Sequence, residues 1–309
     1  MNRRLAIKQF IIAGAGSCIC SILRGSPESR TDEEQNYTIR SESRLVVLDV
    51  SVTDSRGAFV SGLSKHNFTV KENGHPQAIT VFDNREIPVT IGLVVDESRS
   101  MTPKMGDVLT AAGIFIGESN PLDQMFVLNF NDTVRRGLPE KQLFSDNIQE
   151  LSSALSRGRP QGRTALYDAV ISGIQQLELG RREKKSLVVI SDGGDNASGH
   201  SRREMLTEVE NSVATVYAIG LFDEEDADRN PGVLRQIAHI SGGEAYFPEN
   251  PSGMIPVCRK IAKDIRSRYT IGYVPQAGNG KDELRHIQVR VTVPGYSRLR
   301  ARSRTSYRY

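Results

Sequence analysis

Hydrophobic positions alternate with polar ones near both ends of the stretch that begins at Arg44 and gather into unbroken runs in its middle. Val46, Leu48, Val50 and Val52 fall on one face, with Asp49, Ser51 and Thr53 on the other, which predicts a half-buried strand. Phe68 and Val70 alternate again before Asn73-Gly74, a strong two-residue hairpin signal, and Ile79 to Phe82 reads as the return strand. Towards the other end Tyr269, Ile271 and Tyr273 alternate, as do Ile287, Val289, Val291 and Val293, around a Gly/Pro-rich loop at Pro275–Asp282. Between these segments, apolar runs at Val89–Val95, Met125–Phe130, Leu187–Ser191, Thr215–Gly220 and Ala245–Phe247 read as buried strands.

Helix-spaced stripes separate those runs. Met105, Val108, Ala112, Phe115 and Ile116 form one, and Leu166, Ala169, Val170, Gly173, Ile174 and Leu177 a second. Ser201-Arg202-Arg203-Glu204 is a capping box that opens a third helix. Asn230-Pro231 begins a fourth, stopped by Gly242-Gly243, and a last helix is expected at about Met254–Ser267.

Repeated β-α units predict an α/β domain, a doubly wound and mostly parallel sheet with helices on both faces. Either terminal β segment alone has too few strands to bury a core. We therefore expect the two to pair as a small β-sandwich into which the α/β domain is inserted; two separate β caps flanking it are the alternative. The expected division is residues 1–25 as an export segment, 26–43 as a linker, 44–86 as the first part of the sandwich, 87–267 as the α/β domain and 268–309 as the second part.

Composition narrows the partners. With 40 basic and 37 acidic residues interspersed, the net charge of +3 gives no basic footprint for nucleic acid. Trp is absent and aromatics make up 6%, which argues against a base-stacking platform. Arg3, Arg4 and Lys8 precede an uncharged apolar stretch, Phe10 to Leu23, too short to span a bilayer comfortably. That pattern fits a Sec or twin-arginine type signal and a periplasmic, cell-surface or secreted protein, with an uncleaved membrane anchor as the alternative. Once the signal is removed Cys258 stands alone, and its i, i+4, i+7 face with Ala262 and Ile265 predicts burial in a helix.

The candidate chemistry sits directly after the first central run. Asp96-Glu97-Ser98-Arg99-Ser100 places a carboxylate and two hydroxyls at alternate positions at a strand's carboxyl end. Hard oxygen donors suit Mg²⁺ or Mn²⁺, whereas zinc would ask for Cys or His. An open doubly wound sheet has a crevice where strand order reverses, at the carboxyl ends of its strands. If Val89–Val95 and Leu187–Ser191 flank that point, Asp96 and Asp192 meet across it and repel unless a cation neutralises them. Gly162-Arg163-Thr164 delivers Thr164 to the start of a helix nearby. The plainer reading of Asp96, Ser98 and Ser100 is a solvated turn with hydroxyl caps. Asp195 is either a support for this loop or an ordinary turn residue.

Other chemistries find less support. Gly158–Thr164 imitates a phosphate-binding loop, but it is one residue short, carries Arg163 where Lys is needed and follows a helical pattern, so no nucleotide site is expected. Neither a G-x-S-x-G elbow nor an H-E-x-x-H helix is present, and the five His residues are scattered, His200 alone lying beside the Asp192 loop. Arg298, Arg300, Arg302, Arg304 and Arg308 form either the exposed face of a last strand or a contact for anionic groups.

Taken together, Asp96-Glu97-Ser98-Arg99-Ser100, Thr164 within Gly162–Asp168 and Ser191-Asp192-Gly193 resemble the three loops of a von Willebrand factor A (VWA) domain. The flanks, with Val60-Ser61-Gly62-Leu63, Phe68, Glu72-Asn73-Gly74 and a basic C-terminal strand, resemble the bacterial exported members of that family. The resemblance implies a metal-ion-dependent adhesion site (MIDAS) for Mg²⁺ or Mn²⁺. Ser98, Ser100 and Thr164 would be its hydroxyl ligands, with Asp96 and Asp192 binding directly or through water. It further implies a protein partner that supplies an Asp or Glu to the metal, and an adhesion or scaffold role without catalysis. Arg99 stands where the family often has Gly; its side chain should point away from the metal and bias docking towards acidic partners. A metal-assisted hydrolase and a structural VWA domain without metal are the rival readings.

Overall fold

The computed structural model describes residues 45–222, 229–276, 283–296 and 298–308; the expected export segment, the linker and most of the Pro275–Asp282 loop lie outside them. The first segment forms β1 (Val46–Thr53), β2 (Phe68–Glu72), β3 (His75–Gln77) and β4 (Ile79–Asp83). The central segment then runs β5 (Val89–Asp96), α1 (Met105–Gly117), β6 (Gln124–Phe130), β7 (Val134–Arg136), α2 (Ile148–Leu155), α3 (Leu166–Glu178), β8 (Lys184–Ser191), α4 (Arg202–Asn211), β9 (Thr215–Gly220), α5 (Pro231–Ser241), β10 (Ala245–Tyr246) and α6 (Met254–Arg266). The chain ends with β11 (Tyr269–Tyr273), β12 (Leu284–Val291), β13 (Arg300–Arg302) and β14 (Ser306–Arg308).

The central sheet has the order β10-β9-β8-β5-β6-β7, parallel except for the antiparallel edge strand β7. All eight residues of β5 are buried, which explains its unbroken apolar run: helices cover both faces and leave no polar side. Neighbouring strands approach through Gly92, where a Cβ would lie 2.3 Å from the Phe126 ring. The helix α3 also packs closely through Gly173, whose Cβ would lie 2.9 Å from Leu187 and 3.1 Å from Val94. Local signals end the helices as expected. Ser201 and Glu204 cap α4 reciprocally, Asn230 caps α5, and Gly242 ends α5 with φ 81°.

Both terminal segments contribute to two further sheets, β13-β1-β11-β4 and β14-β12-β2-β3. Each therefore interleaves strands from before and after the central domain, β1 with β11 and β2 with β12. Phe68 from one sheet packs on Phe82 and Tyr269 from the other, with ring centroids 5.5 and 5.1 Å apart. Beside them the buried Glu72 carboxylate accepts hydrogen bonds from Tyr273 Oη, Tyr307 Oη and Arg285 Nη1, each at 2.7 Å.

One expected pairing is different. The partner of β2 across Asn73-Gly74 is His75–Gln77, not Ile79–Phe82, which crosses to the other sheet and pairs with β11. Positive φ at both Asn73 and Gly74 makes the turn tight, so the return strand has to start at His75. Pro76 then confines it to an edge.

The central domain meets the sandwich through buried charges rather than an apolar seam. Arg268, between α6 and β11, is 3% exposed. Its guanidinium donates to Tyr217 Oη (3.1 Å), Asp49 O (3.1 Å), Thr215 Oγ1 (3.1 Å), Gly242 O (2.7 Å) and Asp264 Oδ2 (3.4 Å). Asp264 also accepts from Tyr217 Oη at 2.9 Å and from Arg302 Nη2 at 2.8 Å. Burial pushes the Asp264 carboxyl up, and the charges of Arg268 and Arg302 outweigh it and hold the group below the usual range. Asp264→Ala removes the carboxylate that two guanidinia share in a dry seam and should cost about 3–5 kcal/mol in denaturant unfolding, while Tyr217→Phe, which removes the two hydrogen bonds of that hydroxyl, should cost about 1–3 kcal/mol.

Candidate functional site

Strand order reverses between β5 and β8, since the chain leaves β5 towards β6 on one side and returns to β8 on the other. The register sets Val95 beside Ile190, so Asp96 ends β5 next to Ser191, the last residue of β8. The Asp96 carboxylate has no solvent contact. Its Oδ1 accepts the Ser98 N–H at 2.8 Å and its Oδ2 accepts the Ser191 hydroxyl at 2.7 Å. Burial first, and then the neighbouring Asp192 charge, lift its pKa to about 7 against the pull of those two hydrogen bonds.

Ser98 occupies the N-cap position of the 3₁₀ turn Arg99–Lys104 yet makes no side-chain cap hydrogen bond. Its hydroxyl lies 3.0 Å from that of Ser100, which donates to Asp192 Oδ2 at 2.5 Å. With Ser98 only 2% exposed, the solvated-turn reading does not hold. Asp192, also 2% exposed, accepts the Gly194 N–H through its other oxygen at 3.1 Å. Hydrogen bonds thus hold Asp96, Ser98, Ser100 and Asp192 in one cluster against the Asp96–Asp192 repulsion.

Thr164 arrives on a separate loop. The Gly162 carbonyl accepts the Arg99 N–H at 3.3 Å, which ties this loop to the Ser98–Ser100 turn. Gly162 has φ 75°, and a Cβ there would lie 1.9 Å from Asp132 Oδ2. The Thr164 N–H donates to Asn196 Oδ1 at 2.9 Å, and its carbonyl accepts from the N–H groups of Asn196 and Ala197. Its hydroxyl, 6% exposed with the rest of the residue, takes no part in the hydrogen bonds that link the other four.

Two supporting residues escaped the sequence reading. Glu97, 1% exposed, pairs with Arg135 Nη2 at 2.8 Å, while its carbonyl accepts the Gln161 N–H. A Cβ on Gly158 would fall 1.7 Å from the Glu97 carboxylate, so glycine is required where that loop folds over it. Asn196 clamps the Thr164 loop as described. The only available signals were a charge set in a buried strand end and an Asn in a glycine-rich turn. Asp195 supports the neighbouring helix, because it accepts the Tyr167 N–H at 2.9 Å and so caps α3, whose own N-cap residue is Ala165. His200 belongs to Asp168, 2.7 Å away, and its side chain is half exposed.

Among the described residues no three His, Cys, Asp or Glu side chains converge as a metal cluster. Asp96, Asp192, Ser98 and Ser100 bring two carboxylates and two hydroxyls together at the crevice, all hard oxygens, and Thr164 stands on the loop tied to that turn. Such a set can hold a small divalent cation and leave coordination positions for water or an outside oxygen. It offers no imidazole base and no thiolate nucleophile.

Comparison with known proteins agrees with this architecture. A von Willebrand factor type A structure from Catenulispora acidiphila aligns with 87% of this chain and 74% of its own at 13% identity, TM-score 0.52. Proximal thread matrix protein 1 from the mussel byssus aligns with 63% of this chain and 51% of its own at 15% identity, TM-score 0.51. The uncharacterized protein sll0103 of Synechocystis sp. is 25% identical over 181 residues, 58% of this chain. The match spans 42% of that relative's length. Residues 90–256, more than half of the chain, match the von Willebrand factor type A domain, and the chain belongs to that family.

Proposed function

We propose that Asp96, Ser98, Ser100, Thr164 and Asp192 hold one Mg²⁺ or Mn²⁺ and that the chain is an exported, non-enzymatic adhesion or scaffold protein. The observation that carries this reading is the pair of buried like charges, Asp96 and Asp192, joined through the Ser98–Ser100 hydroxyls. Two carboxylates beneath a crevice destabilise each other, and a divalent cation between them would turn that repulsion into attraction. When bound, the ion would supply a Lewis-acid position open to an Asp or Glu of a protein partner. Asp96 is positioned by Ser98 and Ser191, Asp192 by Ser100 and Gly194, and Thr164 by Asn196. In the same reading residues 1–25 direct export.

The rim favours an acidic partner. Arg99, Arg159 and Arg163 lie exposed on the two loops joined at the crevice, and Arg163 is paired with Asp132 at 3.0 Å. Cationic side chains around a docking point speed the encounter with acidic surfaces and make it salt-dependent.

Calorimetric titration of Mn²⁺ into the intact protein should show one saturable site that Asp96→Ala abolishes and Ser100→Ala weakens at least tenfold; an unchanged isotherm in Asp96→Ala would sink the assignment. In EDTA, Asp192→Asn should raise the melting temperature by about 2–4 °C, the shift that 1 kcal/mol gives in a domain of this size, while losing the further gain that Mg²⁺ gives the wild type. Arg99→Gly should leave Mn²⁺ affinity within threefold but weaken the binding of immobilised poly-glutamate and flatten its salt dependence.

A further inference from the structure

Behind the central sheet, α5 faces β12 and β13 across a cleft of about 460 Å³, and none of its lining residues belongs to the crevice cluster. Its walls include Arg235, His239, Glu244, Phe247, Arg300 and Arg302. The charges do not cancel. Glu244 is the carboxylate on this lining, and it is already engaged by Arg302 Nη1 at 2.8 Å and by the Tyr246 hydroxyl at 2.7 Å. Arg302 is bound on its other side to Asp264. Arg235 is stacked over the Phe247 ring, 4.5 Å from its centroid, which fixes the plane of its guanidinium without neutralising it. Arg300 is exposed at the start of β13.

The carbonyls at the end of α5 could have competed for these guanidinia, but they are occupied. Ala238 O accepts from Gly243 N, His239 O from Gly242 N, Ile240 O from Thr305 N, and Gly242 O from Arg268. Of the three guanidinium groups that line the cleft, those of Arg235 and Arg300 have no carboxylate among the described residues within ion-pair distance. An arginine fork matches the oxygens of a phosphate in bidentate fashion. A phosphomonoester carries about −1.5 to −2 charges at neutral pH, which two such groups would balance. The volume exceeds what a bare anion needs and falls in the usual range for a small organic ligand. Phe247 and the aliphatic side chains of Val289 and Ala301 offer it an apolar wall.

We propose that this cleft binds a phosphomonoester of about sugar-phosphate size, its phosphate held between Arg235 and Arg300 and its organic part against Phe247. This accounts for Arg300, an arginine of the C-terminal segment that pairs with no carboxylate among the described residues. The test is calorimetry on the intact chain with glucose 1-phosphate, inorganic phosphate, glucose and acetate as probes. Glucose 1-phosphate should bind saturably and at least tenfold more tightly than the other three. Arg235→Ala and Arg300→Ala should each weaken it tenfold or more, with melting temperature and Mn²⁺ isotherm unchanged, since both side chains are exposed. Absence of saturable binding, equal affinity for inorganic phosphate, or unaltered affinity in the double variant would overturn the proposal.

Discussion

A guanidinium taken out of water has to find a hydrogen-bond acceptor for every N–H, because it does not lose its proton within proteins. Arg268 meets that demand only where the central domain and the sandwich are both in place. Tyr217 and Thr215 come from β9, Gly242 from the end of α5, Asp264 from α6 and the Asp49 carbonyl from β1. Two layers of the molecule must therefore hold one relative arrangement, or a buried charge is left exposed to a dry interior. An apolar seam of the same size would tolerate sliding; five directional bonds do not.

The same electrostatics has the opposite sign at the crevice. In the seam every buried charge meets its complement. At the end of β5 and β8 two carboxylates lie close together beside hydroxyls, and burial first, then the Asp192 charge, drives the Asp96 carboxyl up to about 7. Carboxyl groups perturbed in this way cluster at functional sites. Glu97 underlines the contrast: one residue along the same loop, equally buried, it has its arginine.

Much of this was legible in the chain. The apolar runs marked the strands of the central sheet, and the order of the three loops pointed to the crevice, because a carboxylate directly after a buried run has few places to go. Short elements escaped. Val134–Arg136 spans three residues, too few for a period to show, and α2 has just eight, though Asn147 does cap it. The path of Ile79–Asp83 was misread because alternation reports a buried face and not which sheet that face belongs to. Glu97 and Asn196 escaped for another reason: their roles exist only through contacts with residues far along the sequence, Arg135 and Thr164.

The interleaving of the two outer sheets has a consequence for biosynthesis. Strands β1 to β4 leave the ribosome first, but Glu72 waits for Arg285, 213 residues later, and for Tyr307 after that. Until then the early strands show unpaired edges and an uncovered apolar face, features that invite aggregation. The central domain, whose strands form one six-stranded sheet, brings both of its ends to the same side, where β4 pairs with β11. A folded central domain would hold β4 and β11 where they can meet. A substitution that merely slows the central domain would then appear first as a defect in the sandwich, far from the altered residue.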